Sequence, residues 1–187
     1  VTDASAPAED VARRRALGWL IGTPIGGLTT HRLVAQTRQS ADADPLTGLA
    51  NRRAWDTRLR NALSFSQRSG MPLTVALFDL DGFKAYNDTH GHAAGDRLLV
   101  RVAASWLDQL RAADLLARLG GDEFALLLPD TSFEEATAAV ARALASIPDI
   151  RCSTGLAEWD RKESADDLLL RADTGLYADK ADGVALR

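Results

Sequence analysis

Two acidic pairs in this chain stand where they could hold a cation against phosphate. The first, Asp79 and Asp81, closes the apolar run Leu73-Thr74-Val75-Ala76-Leu77-Phe78. Carboxylates at a strand's carboxyl end lie where open α/β sheets take ligands, and residues two apart in a strand point to one side. The second pair, Asp122 and Glu123, follows Gly120-Gly121 at the junction of two apolar runs, Leu115 to Leu119 and Phe124 to Leu128. That pattern predicts a tight hairpin with acids at its tip, where glycine permits positive φ and close approach of a bulky ligand. Taken alone, an acidic tip is ordinarily just solvated. Converging with Asp79, it would suit Mg²⁺, which needs few protein carboxylates and completes its shell with water and phosphate.

Other residues admit two readings. Asp81-Gly82-Phe83-Lys84 opens a helical turn whose free amides could receive phosphate oxygens, but Asp81 reads equally as that helix's cap. Arg111 and Asp114 read as a local ion pair of little worth. His90 and His92 lack the cysteine or carboxylate set that zinc-finger spacing requires. Cys152, the single cysteine, reads as a small buried hydrophobe, which fits a reducing cytoplasm.

The elements that must position these groups follow from periodicity and punctuation. Asp44-Pro45-Leu46-Thr47-Gly48 makes a wide turn, after which Asn51 caps a helix from Arg52 to about Arg68. A strand follows over Pro72 to Leu80. A polar loop, Asn87 to Asp96, leads into a helix to about Leu110 that buries Leu98, Leu99, Val102, Trp106 and Leu110. Leu126 to Leu128 show no polar alternation, which predicts a mid-sheet strand covered on both faces. An Ala-rich helix over Ser132 to Ile147 precedes a strand from Arg151 to Trp159, where Gly155 admits close approach. The last helix, Ser164 to about Lys180, carries Leu168, Leu169, Leu176 and Tyr177 on its buried side. This order fits an α+β domain over residues 42–187, an antiparallel-containing sheet of ferredoxin-like or palm type with helices on one face.

Residues 1–41 read as an N-terminal helical extension: a frayed start, a helix from Glu9 to Ile21, a stop at Thr23 to Gly27, and a second helix from Thr29 to Ala41. They read as packing on the domain's own surface, and no heptad runs long enough to mark a coiled coil. The apolar stretch Ala16 to Leu28, broken by Pro24 and four glycines, is too short to span a bilayer. Arg13-Arg14-Arg15 precedes it without a convincing cleavage site, so the chain does not read as secreted. A membrane enters only through a segment missing upstream of Val1. With 187 residues and a net charge of −4, the chain can build one full core, and no basic face recommends duplex nucleic acid as a partner.

Gly120-Gly121-Asp122-Glu123-Phe124 is the signature for which the GGDEF family is named. Three further blocks resemble that family's pattern in the expected order: Asp44 to Arg53, Phe78 to Asp96 and Arg171 to Gly183. The resemblance covers Asp42 to Gly183 and identifies the chain as similar to a diguanylate cyclase, which condenses two GTP molecules to cyclic di-GMP and two pyrophosphates. It implies Mg²⁺ (or Mn²⁺) on Asp79, Asp122 and the Leu80 carbonyl, with Glu123 supporting the metal or the incoming hydroxyl. Asn87 and Asp96 become the readers of the guanine edge. Phe83 and Lys84, together with Lys180, fall to the nucleotide and its phosphates, and Gly120 and Gly121 to the turn. Arg111 and Asp114 match an inhibitory RxxD site for the product. Each domain holds one GTP, so catalysis requires a homodimer, expected in the cytoplasm, and the resemblance implies that the N-terminal helices form a dimerising stalk as the alternative to packing on the domain. Val184 stands where the family usually has Arg, which leaves open a weak or inactive domain that only binds GTP or cyclic di-GMP. Another palm-type nucleotidyl transferase would share the acids but not Asn87, Asp96 or the RxxD.

Overall fold

A computed structural model describes residues 41–185, with side chains as far as Ala181. Apart from Ala41, the two helices expected in the N-terminal extension lie outside the described residues. The elements, in chain order, are β1 (Ala50–Asn51), α1 (Arg52–Ser69), β2 (Leu73–Leu80), α2 (Phe83–His90), α3 (His92–Leu107), β3 (Leu115–Gly120), β4 (Glu123–Pro129), α4 (Phe133–Ala145), β5 (Cys152–Glu158) and α5 (Ala165–Ala185).

The strands form one sheet in the order β1-β3-β4-β2-β5. Only β1 and β3 run parallel; the other pairs are antiparallel. β4 is central, and its Leu126, Leu127 and Leu128 are all buried, as their unbroken apolar run requires. Alternate residues of each strand feed two cores. Ala76, Phe78, Leu80, Phe124, Leu126 and Leu128 face α3 and α4, where Trp106 packs tilted against Phe78 and edge-on against Phe124 with ring centroids at 4.7 and 5.3 Å. Leu73, Val75, Ala125 and Leu127 face α1 and α5 through Trp55, Leu59, Leu168 and Ala172. Asp79 continues this second set and therefore projects on the α1 and α5 side.

Several expectations are corrected. Helices cover both faces rather than one, because β2 and β4 are apolar at odd and even positions alike. Most of the loop expected over Asn87 to Asp96 is helical: α2 and α3 abut at Gly91, whose φ of 83° breaks the chain direction. Tyr177 is not on the buried side of α5; it is 76% exposed. The connector before α1 contains a short strand, β1, while Asn51 does cap α1 by accepting a hydrogen bond from the Ala54 amide at 3.1 Å. Among the described residues no helix is long and apolar enough to cross a membrane.

Candidate functional site

The end of β2 and the tip of the β3–β4 hairpin lie side by side because β2 and β4 are paired along their whole length. In that register Asp79 stands directly opposite Glu123 on one side and Ser153 on the other. The Leu80 amide donates to the Asp122 carbonyl at 3.4 Å, which closes the tip onto the strand. From α5, the Lys180 ammonium reaches Asp79 Oδ2 at 2.7 Å. Asp79, Leu80, Asp122, Glu123 and Lys180, distant in sequence, are thus brought together.

Burial, followed by the Asp79 charge, pushes the Asp122 pKa above its ordinary value, although Lys180 and Arg118 work against the rise. Burial pulls on Lys180 in the opposite sense, but its hydrogen bond to Asp79 and the nearby Asp79, Asp122 and Asp81 charges prevail and hold its pKa high. A half-buried carboxylate whose charge is disfavoured, beside a second acid that already draws an ammonium, fits a divalent cation. Asp79, Asp122 and the Leu80 carbonyl are the groups that could hold it. Among the described residues, no group of three or more His, Cys, Asp or Glu could hold a metal by itself. Water and a phosphate ligand would therefore complete the shell.

Arg118 secures the tip. Its guanidinium donates to the Gly121 carbonyl at 3.0 and 2.7 Å and to both Asp44 oxygens at 3.2 and 3.3 Å. Asp44 also accepts from the Thr47 amide and hydroxyl at 2.8 and 2.7 Å. Burial opposes ionisation of Asp44, but the Thr47 and Arg118 bonds outweigh it and lower its pKa. Gly120 and Gly121 make the turn, with φ of 151° and 54° and a register shift between Arg118 and Gly120. Arg118 was not among the expected site residues. A lone cation inside the apolar run Leu115 to Leu119 was the signal that could have found it.

A second cluster forms where α2 meets α3. Asn87 is half-buried, and its Oδ1 has no hydrogen-bond partner. A polar atom left so inside a fold calls for a ligand or water. Gly95 admits it: a Cβ there would overlap Asn87 Oδ1 and lie 2.9 Å from Asn87 Cγ and 3.2 Å from the Phe83 ring. Asp96 follows Gly95 on the exposed side of α3. Phe83 and Lys84 begin α2, whose N-cap is Gly82 with φ of 72° and no side-chain cap. Asp81 is therefore not a helix cap; it accepts from the Ser153 hydroxyl at 2.7 Å and pairs with Arg151 at 3.2 Å.

Arg111 and Asp114 form a turn rather than an ion pair. The Asp114 carboxylate accepts the Arg111 amide at 2.8 Å, and the Asp114 amide donates to the Arg111 carbonyl at 3.0 Å. Cys152, beside the acids, has its thiol pushed up to about 12 by burial and stays protonated at neutral pH.

Comparison with known proteins places the domain's sequence and fold beside known ones. A family model described as diguanylate cyclase, GGDEF domain, matches residues 41–185. The chain is 39% identical over 164 residues to the diguanylate cyclase DgcP of Pseudomonas aeruginosa, covering 82% of this chain and 24% of that protein. It is 37% identical over 186 residues to the probable diguanylate cyclase DgcE of Escherichia coli, covering 89% and 17%. The chain thus spans about a quarter or less of the length of these relatives. Among solved structures, the coiled coil and GGDEF domain of DgcB from Caulobacter crescentus, in complex with c-di-GMP, superposes with a TM-score of 0.80 at 27% identity, covering 95% of this chain and 96% of that one.

Proposed function

The chain belongs to the diguanylate cyclase GGDEF family, and on that premise we propose that it condenses two GTP molecules to cyclic di-GMP with release of two pyrophosphates. The meeting of Asp79, Asp122 and Lys180 at the end of β2 is the observation that carries this reading. Each 3′-hydroxyl oxygen bonds to the α-phosphorus of the other nucleotide while the bond to the leaving pyrophosphate breaks in line, and the hydroxyl proton passes to water or a nearby carboxylate. Diguanylate cyclases generally use a divalent metal. Held by Asp79, Asp122 and the Leu80 carbonyl, Mg²⁺ or Mn²⁺ would neutralise the leaving group and lower the hydroxyl pKa.

The remaining residues bind and orient. Lys180 turns from Asp79 to the terminal phosphates, and Phe83 and Lys84 at the start of α2 flank the phosphate path with its unpaired amides. Asp96 accepts from guanine N1–H and N2–H₂, while the Asn87 amide serves O6 and N3 or N7. The unpartnered Asn87 oxygen shows only that this end of the amide is not committed within the fold and is left to accept an N–H. One chain offers one such pocket, so a homodimer presents two GTP molecules to each other. The reading places the domain in the cytoplasm, where GTP is supplied.

Gly95→Ala tests the guanine pocket apart from the acids. A glycine inside a helix costs about 1 kcal/mol relative to alanine, so the melting temperature should hold or rise. The displaced Asn87 amide should still weaken GTP binding by about tenfold, the equivalent of ~1.4 kcal/mol, in a calorimetric titration. Unchanged affinity would remove Asn87 from the pocket.

Product inhibition through Arg111 and Asp114 belongs to the same proposal. A guanidinium can fork onto phosphate and stack on a purine. With Asp114 occupied in holding the turn, Arg111→Ala should keep the initial rate and abolish slowing by added cyclic di-GMP. Equal inhibition of both forms would discard the site.

The function itself is tested by incubating the protein with GTP and Mg²⁺ over a range of protein concentrations and resolving the products by mass spectrometry. Cyclic di-GMP at a rate per chain that rises with concentration supports both enzyme and dimer. No product, with GTP or cyclic di-GMP still bound, would leave a binding module, and Val184 in place of the family's usual Arg would be the first residue to change.

A further inference from the structure

Glu123 and Asp79 stand directly opposite each other in the β2–β4 ladder, so their side chains share one face. Like charges so placed repel. Two cations from two helices draw them apart: Lys180 of α5 takes Asp79 at 2.7 Å, and Arg52 of α1 takes Glu123 Oε2 at 3.5 Å. Arg52 does more than pair. Its Nε also donates to the carbonyl of Leu119 at 3.2 Å, at the register shift just before the Gly-Gly turn. A single guanidinium thereby bridges both strands of the hairpin beside its tip.

Two features argue against a stabilising purpose. Arg52 and Glu123 are 60% and 54% exposed, and an ion pair so exposed contributes ~0–1 kcal/mol. Arg52 is also the first residue of α1, a helix with no acid in its first turn, where a cation opposes the helix dipole. Arg52, Leu119 and Glu123 line a cavity of about 400 Å³ together with Trp55 and Leu77, so the pair is reached by solvent from that side.

We propose that Arg52 is a positioning residue: it holds Glu123 off Asp79 and fixes the hairpin tip for the reaction. The inference rests on the cyclase reading for its catalytic consequence and on the geometry alone for its grip. It also ties the tip to the residues that begin the domain, since Arg52 follows β1 directly and Arg118 reaches Asp44 from the same hairpin.

The test uses Arg52→Ala, Arg52→Lys, Glu123→Gln and the double variant Arg52→Ala/Glu123→Gln. In Arg52→Ala, amide hydrogen exchange across residues 119–123 should rise severalfold while the melting temperature stays unchanged or rises. The kcat should fall about tenfold, and KM for GTP should stay within threefold. Lysine keeps the charge but not the fork and should fall between. The double variant should turn over no more slowly than Glu123→Gln alone, because Arg52 acts through that carboxylate. Unchanged exchange overturns the grip. A raised KM at constant kcat makes Arg52 a substrate contact and overturns the positioning role, as does additivity in the double variant. If the unaltered protein makes no product, the cyclase reading fails, and the exchange measurement alone decides the grip.

Discussion

Asp122→Asn should stop formation of cyclic di-GMP, by about 10³-fold or more, and should make the protein more stable at neutral pH. The first effect follows from removing one of the two carboxylates that would hold the metal, whose neutralisation of transition-state charge is worth several kcal/mol. The second follows from electrostatics already strained in the fold. The Asp122 pKa is raised by burial and by Asp79, so the folded state disfavours its charge. An acid with a raised folded pKa carries no penalty when protonated in both states, below its ordinary 3.8, and one that grows as pH climbs from there to its folded pKa and stays in full above it. Asparagine removes that penalty, so the gain in melting temperature should appear at neutral pH and vanish in acid. Asp122→Ala should be equally inactive. Activity retained by either variant, measured as product by mass spectrometry, would sink the metal assignment. A variant that is inactive and also less stable would instead mark Asp122 as a structural residue.

The same site shows why some of this was legible beforehand and some was not. Asp79 could be placed because a strand's end is readable from apolar run length, and the hairpin tip because Gly-Gly between two apolar runs has few other solutions. The mid-sheet position of β4 followed from Leu126 to Leu128. Partners across the sequence were not readable. Nothing local to Arg52 indicates that it reaches Leu119 and Glu123, and nothing near Asp81 indicates Ser153 and Arg151. The break at Gly91 was hidden because the residues around it are polar enough for a loop and permissive enough for helix. Helices on both faces were implied by the apolar odd and even positions of β2, evidence that the element order alone overrode.

Gly155 is the position whose role was half readable: close approach was expected there, but not what approaches. It is the backbone of α5. A Cβ on Gly155 would overlap the Ala172 carbonyl oxygen and the Leu176 amide nitrogen and lie 3.0 Å from the Gly175 carbonyl carbon. Backbone atoms in a packed helix cannot swing aside as a side chain does, so Gly155→Ala must push α5 off the sheet. Overpacking of this kind costs about 1–3 kcal/mol, sometimes more. At about 2–4 °C per kcal/mol for a chain of this size, the melting temperature should fall by up to ~10 °C. Further along the same helix, Asp179 accepts the Thr154 amide at 2.8 Å and Lys180 reaches Asp79, so the lifted helix should also carry Lys180 away from the acids and weaken GTP binding. Gly175→Ala is the control from the opposite side of the contact. Its Cβ would lie 3.3 Å from the Gly155 Cα, a gap that a shift of a few tenths of an ångström relieves, and alanine regains about 1 kcal/mol of helix propensity. Calorimetric unfolding of the two variants should therefore show a large loss for Gly155→Ala and almost none for Gly175→Ala. Equal melting temperatures would mean that α5 is not seated on Gly155, and the placement of Lys180 would then need another cause.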